Sequence, residues 1–297
     1  MQSNEENMKR AITLEEQIKK LKSRGIIVND EAKAKEILFD IGYYRLGYYT
    51  FPFEKTYPQL SNRNHEFKGG TLFESVVQLY YFDYDLRKLL LAALTRIEVN
   101  IRTRITYLCS THYAQDPYWF MSSVAMDYSY IQSFDKKVYK TIKDSPIIIR
   151  HHQKYPNDQY APAWKTLEFM TLGNIVSLYQ HLNDRTLKKK IADSYHCGVG
   201  IFVNYLETIR VARNTCAHGA FLYNLKLPKG IKNGPAGAVS GNDRHNVNGI
   251  LKVILYMLGC ISDNRRLELL VDLRRLFSEN RNLETKLIIE ESTNFSL

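Results

Sequence analysis

A single apolar pattern runs through the centre of the sequence for about forty residues. It begins at a Thr71-x-x-Glu74 sequence, which is typical of a helical capping box. From there apolar residues recur in steps of three, four and seven, the spacing of one face of an α-helix. The residues that carry the pattern are Leu72, Val76, Leu79, Leu86, Leu90, Leu94, Ile97, Ile101, Ile105 and Leu108. The sequence therefore predicts one long helix around which the fold is built.

Helical patterns also dominate the rest of the chain. A second capping box, Thr13-x-x-Glu16, opens a short helix that Gly25 stops, and another short helix ends at Ile41. Helical spacing returns in five later stretches, at residues 164–182, 184–195, 201–217, 247–260 and 265–277, and a last helix is expected near 282–290. We therefore expect an all-α fold, with residues 1–68 as an N-terminal helical hairpin and aromatic region and residues 69–297 as the main helical domain.

Two segments interrupt this helical pattern. Residues 114–162 contain four prolines, which predicts short helices and loops. Residues 228–249 contain five glycines and two prolines, which predicts a flexible excursion. The second segment holds neither GxxxxGK[ST] nor GxGxxG, so a phosphate-cradling loop is not expected there.

The charge distribution favours a polyanionic partner. The net charge is +10, and such an excess attracts phosphates. Two basic clusters, at residues 133–155 and 185–190, are candidates for holding an RNA backbone, and tyrosines interleave with the first. The candidate RNA-binding residues in these clusters are Lys136, Lys137, Lys140, Lys143, Arg150, Lys154, Lys188, Lys189 and Lys190.

The cysteine and hydropathy patterns point to a reducing compartment. None of the four cysteines forms a CxxC pair, and neither a secretory signal nor an apolar run of about 18 residues occurs. We therefore expect a cytoplasmic protein with no membrane partner, no zinc site and no cofactor.

Arg213 and His218 are the most informative polar pair. Arg213 follows Leu206 by seven residues and Ile209 by four, so it lies on the apolar face of a helix and should be paired or line a cleft. His218 lies about 140° further round and about 7.5 Å along the helix. One straight helix therefore cannot point both side chains to the same place. Either the helix unwinds before Gly219, or the long Arg213 side chain reaches round the helix, or a second copy of the chain completes the site. A plainer interpretation is that Arg213 pairs with an acid such as Glu98 and that His218 caps the helix.

The segment Arg213-Asn-x-x-Ala-His-x-x-x-Leu-Tyr-Asn224 resembles a motif of the Abi-like (abortive-infection) family. Other blocks resemble the family in the same order: Leu14-x-x-Gln17-x3-Leu21-x2-Arg24-Gly25, Ile41-x-Tyr43-Tyr44-Arg45-Leu46-x2-Tyr49, Asp85-Leu-Arg87, Ile97-Glu98-x3-Arg102 and Pro162-x-Trp164-x3-Glu168-x3-Leu172-Gly173. The resemblance spans about residues 11–225. Gly219-Ala-Phe221 departs from the His-x-Arg that often follows the motif.

This resemblance implies a HEPN-like helical bundle and a metal-independent endoribonuclease active in phage defence. The ribose 2′-OH would attack the adjacent phosphate and leave a 2′,3′-cyclic phosphate. His218 would act as general acid or base, Arg213 would hold the phosphate, and Asn214 would orient the phosphate or His218. Glu98 and Arg102 would support the catalytic residues. Because one histidine serves one proton-transfer role at a time, we expect a homodimer, with target RNA and a structured small regulatory RNA as partners.

Three other functions stay open. Arg213 and His218 could grip RNA without cutting it. Residues 13–41 could form a DNA-binding helix-turn-helix that uses Lys33 and Lys35, although a plain helical hairpin also fits them. The chain could also be a protein-interaction scaffold whose charge only keeps it soluble. The aromatic motif is similarly open, since Tyr44 and Arg45 could stack on RNA bases or pack in a core.

Overall fold

A computed structural model describes residues 10–61 and 63–296. These residues form helices and no strand, which confirms the all-α prediction. In chain order the helices are α1 Leu14–Ser23, α2 Glu31–Ile41, α3 Tyr43–Thr50, α4 Phe73–His112, α5 Tyr128–Phe134, α6 Lys140–Ile142, α7 Pro146–Lys154, α8 Ala163–Thr166, α9 Leu172–Gln180, α10 Arg185–Asp193, α11 Val199–Ala217, α12 Val247–Gly259, α13 Asp263–Ser278 and α14 Leu283–Thr293. Within the described residues, none of these helices is long and apolar enough to cross a membrane.

The long central helix is confirmed as α4, which has 40 residues. Its apolar face is fully buried from Leu86 to Ile105. The predicted start needs a correction, because α4 begins at Phe73 and not directly after Thr71. The Thr71 hydroxyl donates instead to a carboxylate oxygen of Glu284 at 3.2 Å. A tertiary partner has therefore replaced the local capping bond that the sequence predicts.

The chain divides into two compact units. The first comprises Met1–Asp85 with Ser278–Ser292, and the second Leu86–Phe277 with Thr293–Leu297.

In the first unit, α1 and α2 form the predicted hairpin. The Thr13 hydroxyl accepts a hydrogen bond from the Glu16 N–H at 3.2 Å, and the Thr13 N–H donates to the Glu16 carboxylate at 2.8 Å. This reciprocal pair is the predicted capping box. Gly25 follows the C-cap of α1 and stops that helix, as predicted, at φ +101°, a left-handed conformation that favours glycine.

In the second unit, α11 packs against α9, α10 and α12. Residues 114–162 form short helices, as predicted, and Asp135–Tyr139 is a π-helical segment between α5 and α6. The predicted continuous helix over 164–182 is wrong. It breaks at Met170, after a 3₁₀ turn at Leu167–Phe169, and α9 starts afresh with Thr171 as its N-cap, whose hydroxyl accepts from the Asn174 N–H at 3.2 Å.

The glycine-rich segment 228–249 is non-helical up to the short turn Gly241–Arg244, and α12 follows. In the part that precedes this turn, the side chains of Ile231 and Val239 are buried. The Ile231 N–H also donates to the Arg244 carbonyl at 2.8 Å, which closes the segment onto itself. Both side chains therefore anchor the segment within the second unit, to which it belongs.

Candidate functional site

Arg213 lies on α11 and reaches α4. Its Nε donates to Oε2 of Glu98 at 2.9 Å, and its Nη1 lies 3.5 Å from Oδ1 of Asn214. The pairing that the apolar-face position predicts is therefore confirmed, with the acid that the sequence suggests. Only one edge of the guanidinium is committed to the carboxylate. The Arg213 side chain is 31% exposed, so its remaining N–H groups are open to a ligand.

Glu98 is a buried carboxylate shared by two arginines. Its second oxygen, Oε1, accepts from Nη2 of Arg102 at 3.1 Å. Arg102 also donates to the backbone carbonyl of Met170 at 3.0 Å, at the break before α9. Two guanidinium groups therefore share one buried negative charge, and the exposed Glu168 carboxylate, 3.9 Å from Nη1 of Arg102, brings the cluster close to neutral. An anion would be attracted by the exposed N–H groups of Arg213 and not by a net charge of the cluster.

His218 lies directly after the last residue of α11. Its backbone N–H donates to the Asn214 carbonyl at 3.0 Å and so caps the helix. Its imidazole is exposed and makes no hydrogen bond or ion pair with the described residues. Gly219, at φ +66°, then turns the chain away. The helix thus ends between the two motif residues, with Arg213 held and His218 open to solvent.

The basic side chains of the first cluster are all exposed. They lie on the helices from α5 to α7 and on the π segment between α5 and α6, and comprise Lys136, Lys137, Lys140, Lys143, Arg150 and Lys154. The surrounding tyrosines have internal partners: the hydroxyl of Tyr160 donates to Asp135 at 2.7 Å, and that of Tyr139 lies 2.5 Å from His152. The lysines and Arg150, and not these tyrosines, are available to a phosphate backbone.

The second cluster is less uniform. Lys188 is half-buried and donates to the Gln180 carbonyl at 2.7 Å, and burial lowers the pKa of its ammonium group. Lys189 is exposed and pairs with Asp193 at 2.6 Å. Lys190 is exposed. Lys188 therefore helps to hold α10, whereas Lys189 and Lys190 face solvent.

Tyr44 and Arg45 belong to the first unit and not to the unit of Arg213 and His218. Tyr44 is 82% exposed, which rules out core packing for this ring. Arg45 is half-buried. Other tyrosines of the same motif do pack in the core, since the Tyr49 hydroxyl is buried against Asp83 at 2.7 Å.

Sequence reasoning missed Arg210, which lies one turn before Arg213 on α11. Its Nε donates to Glu207 at 2.7 Å, and both residues line a cavity of about 190 Å³ beside α11, together with Asn204 and Lys229. The sequence did offer one indication of its role: Arg210 lies three residues before Arg213, so the two are neighbours on the helix surface.

The DNA-binding alternative, which rests on other residues, gains little from the structure. Lys33 and Lys35, the predicted DNA-contacting residues, pair with Glu36 at 2.8 Å and Glu15 at 2.9 Å. Across the described residues, no group of three or more His, Cys, Asp or Glu side chains is placed to hold a metal ion.

Comparison with known proteins gives one match. The model of the Abi-like protein family matches residues 36–224, well over half of the chain. The opening block at residues 14–25 lies outside this range, whereas the aromatic block and the Arg213–His218 motif lie inside it. No curated protein and no solved structure matches the chain. Family membership suggests a role in abortive infection, a form of phage defence. On this match and on the ordered blocks around its motif, the chain belongs to the Abi-like protein family.

Proposed function

We propose that the protein is a metal-independent endoribonuclease of the HEPN type that acts in phage defence. The observation that carries the proposal is the state of Arg213. Glu98 fixes its Nε edge at 2.9 Å, while the rest of the guanidinium stays accessible. A guanidinium that is held on one edge and open on the other suits the stabilisation of a phosphate during cleavage. The exposed His218 follows it at the end of α11.

Arg213 would bind a non-bridging oxygen of the scissile phosphate. It cannot lose its proton under physiological conditions, so its contribution is electrostatic. The charge that develops on the phosphate is then met by a donor already in position, and no reorganisation is needed during the reaction. Asn214, whose Oδ1 faces Nη1 of Arg213 at 3.5 Å, would steady the guanidinium.

His218 would move the protons. As a base it would accept the proton of the ribose 2′-OH, whose oxygen then attacks phosphorus. The bond to the 5′ oxygen breaks, and that oxygen needs a proton to leave. Because one imidazole cannot do both in one step, we propose that a second copy of the chain supplies the second His218. The products are a 2′,3′-cyclic phosphate and a 5′-OH.

The exposed cations of the first basic cluster, with Lys189 and Lys190, would hold the RNA backbone. Such contacts release counterions, so affinity should fall steeply as salt concentration rises. A structured small RNA held by the same cations would restrain the enzyme.

The first test compares two exposed histidines. His218→Asn and the control His196→Asn are incubated with total RNA in EDTA beside the wild type, and the product ends are mapped. We expect wild type and control to leave cyclic-phosphate ends. His218→Asn should be slower by about 100-fold or more, and Arg213→Lys by about 100- to 1,000-fold.

Equal cleavage by His218→Asn and wild type would contradict the proposal. Inert behaviour of every protein, with RNA co-purifying, favours the second candidate, a non-catalytic RNA-binding module. That candidate is supported by the same exposed cations. Removing the bound RNA and repeating the assay separates a restrained nuclease from a simple RNA binder.

The composite dimer has its own test. Wild type is mixed with increasing amounts of His218→Asn under conditions that allow subunit exchange. If each site needs both copies of His218, activity should fall with the square of the wild-type fraction. A linear fall would show that one chain is sufficient.

A further inference from the structure

The first unit contains a cavity that the proposed ribonuclease chemistry does not use. Its volume is about 270 Å³, and its walls come from α1, α2, α3, the following loop and the start of α4. The floor is apolar, and Leu21, Ile26, Leu38, Leu46, Phe67, Phe73 and Val76 form it. An engineered cavity of about 150 Å³ with apolar walls holds benzene. This cavity therefore has room for a six-membered ring with a short chain attached.

Gly47 lies in α3 on the wall of this cavity. Glycine in a helix costs about 0.5–1 kcal/mol relative to alanine. Packing does not demand it here, because a Cβ at this position would meet no atom within 4 Å. Gly47 therefore lines the cavity and leaves open space beside α3.

One charge in the cavity wall is not neutralised. Glu54 is fully buried and accepts from Arg63 Nε at 3.0 Å, with His65 Nδ1 at 3.2 Å from the same carboxylate. These partners balance Glu54. Arg24 is half-buried, and the one hydrogen bond of its side chain to the described residues is from Nη1 to the neutral Tyr43 hydroxyl at 3.3 Å.

We propose that this cavity binds a small carboxylate whose apolar body is about the size of a phenyl ring with a short chain. The carboxylate pairs with the Arg24 guanidinium, which offers a planar pair of donors. The apolar body occupies the space over Gly47. Tyr44 and Tyr48 stand at the rim with their rings in edge contact at 5.9 Å.

The test uses three probes of one shape and different charge. Binding of 3-phenylpropionate, 3-phenylpropan-1-ol and 3-phenylpropylammonium to the full chain is measured by titration calorimetry and ligand-detected NMR. We expect the carboxylate to bind, the alcohol to bind about 10- to 100-fold more weakly, since a hydrogen bond to a charged group is lost, and the ammonium compound not to bind.

Two variants and a control locate the ligand. Gly47→Phe should fill the cavity and abolish binding, whereas Gly47→Ala should retain it. Both should melt no lower than wild type, because they replace a helical glycine in open space. Arg24→Gln should weaken the carboxylate by about 10- to 100-fold and leave the alcohol unchanged.

Several outcomes would overturn the proposal. One is that 3-phenylpropionate fails to bind the folded wild type at millimolar concentration. Another is that Gly47→Phe binds it as well as Gly47→Ala does. Equal binding of the ammonium compound would remove the role of Arg24. Preference for 5′-GMP over 3-phenylpropionate would assign the cavity to a nucleotide. None of these results depends on whether the chain cleaves RNA.

Discussion

Glu98→Gln removes the negative charge that two arginines share, while it leaves a side chain of nearly the same shape. Because both Arg102 and Arg213 donate to this carboxylate, the substitution removes the counter-charge of Arg213 and leaves Arg102 with the exposed Glu168 at 3.9 Å. The two arginines differ in burial. The Arg102 side chain is 11% exposed and cannot turn to solvent easily, whereas that of Arg213 is 31% exposed and can.

The magnitude follows from these contacts. Removing one partner of a buried ion pair costs about 3–5 kcal/mol, and the partial exposure of Arg213 places Glu98→Gln near about 3 kcal/mol. Arg213→Gln leaves Glu98 paired with Arg102 and should cost about 1.5 kcal/mol, the lower end for a charged hydrogen bond. The double variant should cost little more than Glu98→Gln alone. The coupling energy between Glu98 and Arg213 is therefore expected at about 1.5 kcal/mol.

Urea unfolding followed by tryptophan fluorescence measures this coupling. Both tryptophans, Trp119 and Trp164, lie in the second unit, which also contains the ion pair. The fluorescence transition therefore reports on the unit whose stability changes, even if the first unit unfolds separately.

An exposed pair on α10 gives the matched control. Lys189 and Asp193 are i and i+4, are 2.6 Å apart and are both exposed. Their double-variant cycle should give a coupling of at most about 0.5 kcal/mol. If the Glu98–Arg213 coupling is no larger than that of the control, the buried charge cluster does not hold Arg213, and the reasoning about the site fails.

Further predictions concern both units. Glu54→Gln should destabilise the first unit by about 3 kcal/mol, because a buried acid pair is broken, whereas Glu66→Gln, in an exposed pair, should cost under about 1 kcal/mol; urea titration by circular dichroism measures both. Burial raises the pKa of the Glu54 carboxyl, but the interactions with Arg63 and His65 together outweigh burial and leave that pKa lowered. The contribution of Glu54 to the free energy of unfolding should therefore be complete above the ordinary glutamate pKa of about 4.3 and be lost as pH falls through the lowered value, which a pH series of the same urea titration tests. RNA binding should quench Trp164, which is 54% exposed, and Trp164→Phe should remove that change while the buried Trp119 still emits; RNA binding with no change in wild-type emission would place the RNA elsewhere.

Local spacing carried the fold predictions that succeeded. The length of α4 and the capping box at Thr13 depend on residues three to seven positions apart, and such patterns are visible in one sequence. The break at Met170 was not visible, because apolar spacing continues through it. There the Met170 carbonyl accepts from Arg102, a residue 68 positions away. The start of α4 failed for the same reason, since Thr71 bonds to Glu284 and not to its own helix.

Part of the site could also be predicted from local spacing along the helix. A cation on an apolar helix face requires an acid, so the pairing of Arg213 with Glu98 could be expected from spacing alone. The position of His218 could not, because three geometries satisfied the sequence. The structure continues α11 to Ala217, and the His218 N–H still makes the helical bond to the Asn214 carbonyl, so the chain does not unwind between the two motif residues. Whether a second copy faces it remains a prediction.

The two interpretations of Arg213, structural ion pair and phosphate ligand, are not exclusive. Arg102 shows what a structural arginine looks like in this cluster: it bonds Glu98 and the Met170 carbonyl and is nearly buried. Arg213 bonds the same carboxylate through Nε and keeps nearly three times the exposure of Arg102. Exposure, and not the use of every donor, separates the two arginines, because the buried Nε of Arg102 has no hydrogen-bond partner among the described residues, whereas the remaining N–H groups of Arg213 reach solvent. The open edge of Arg213 is what a phosphate would occupy.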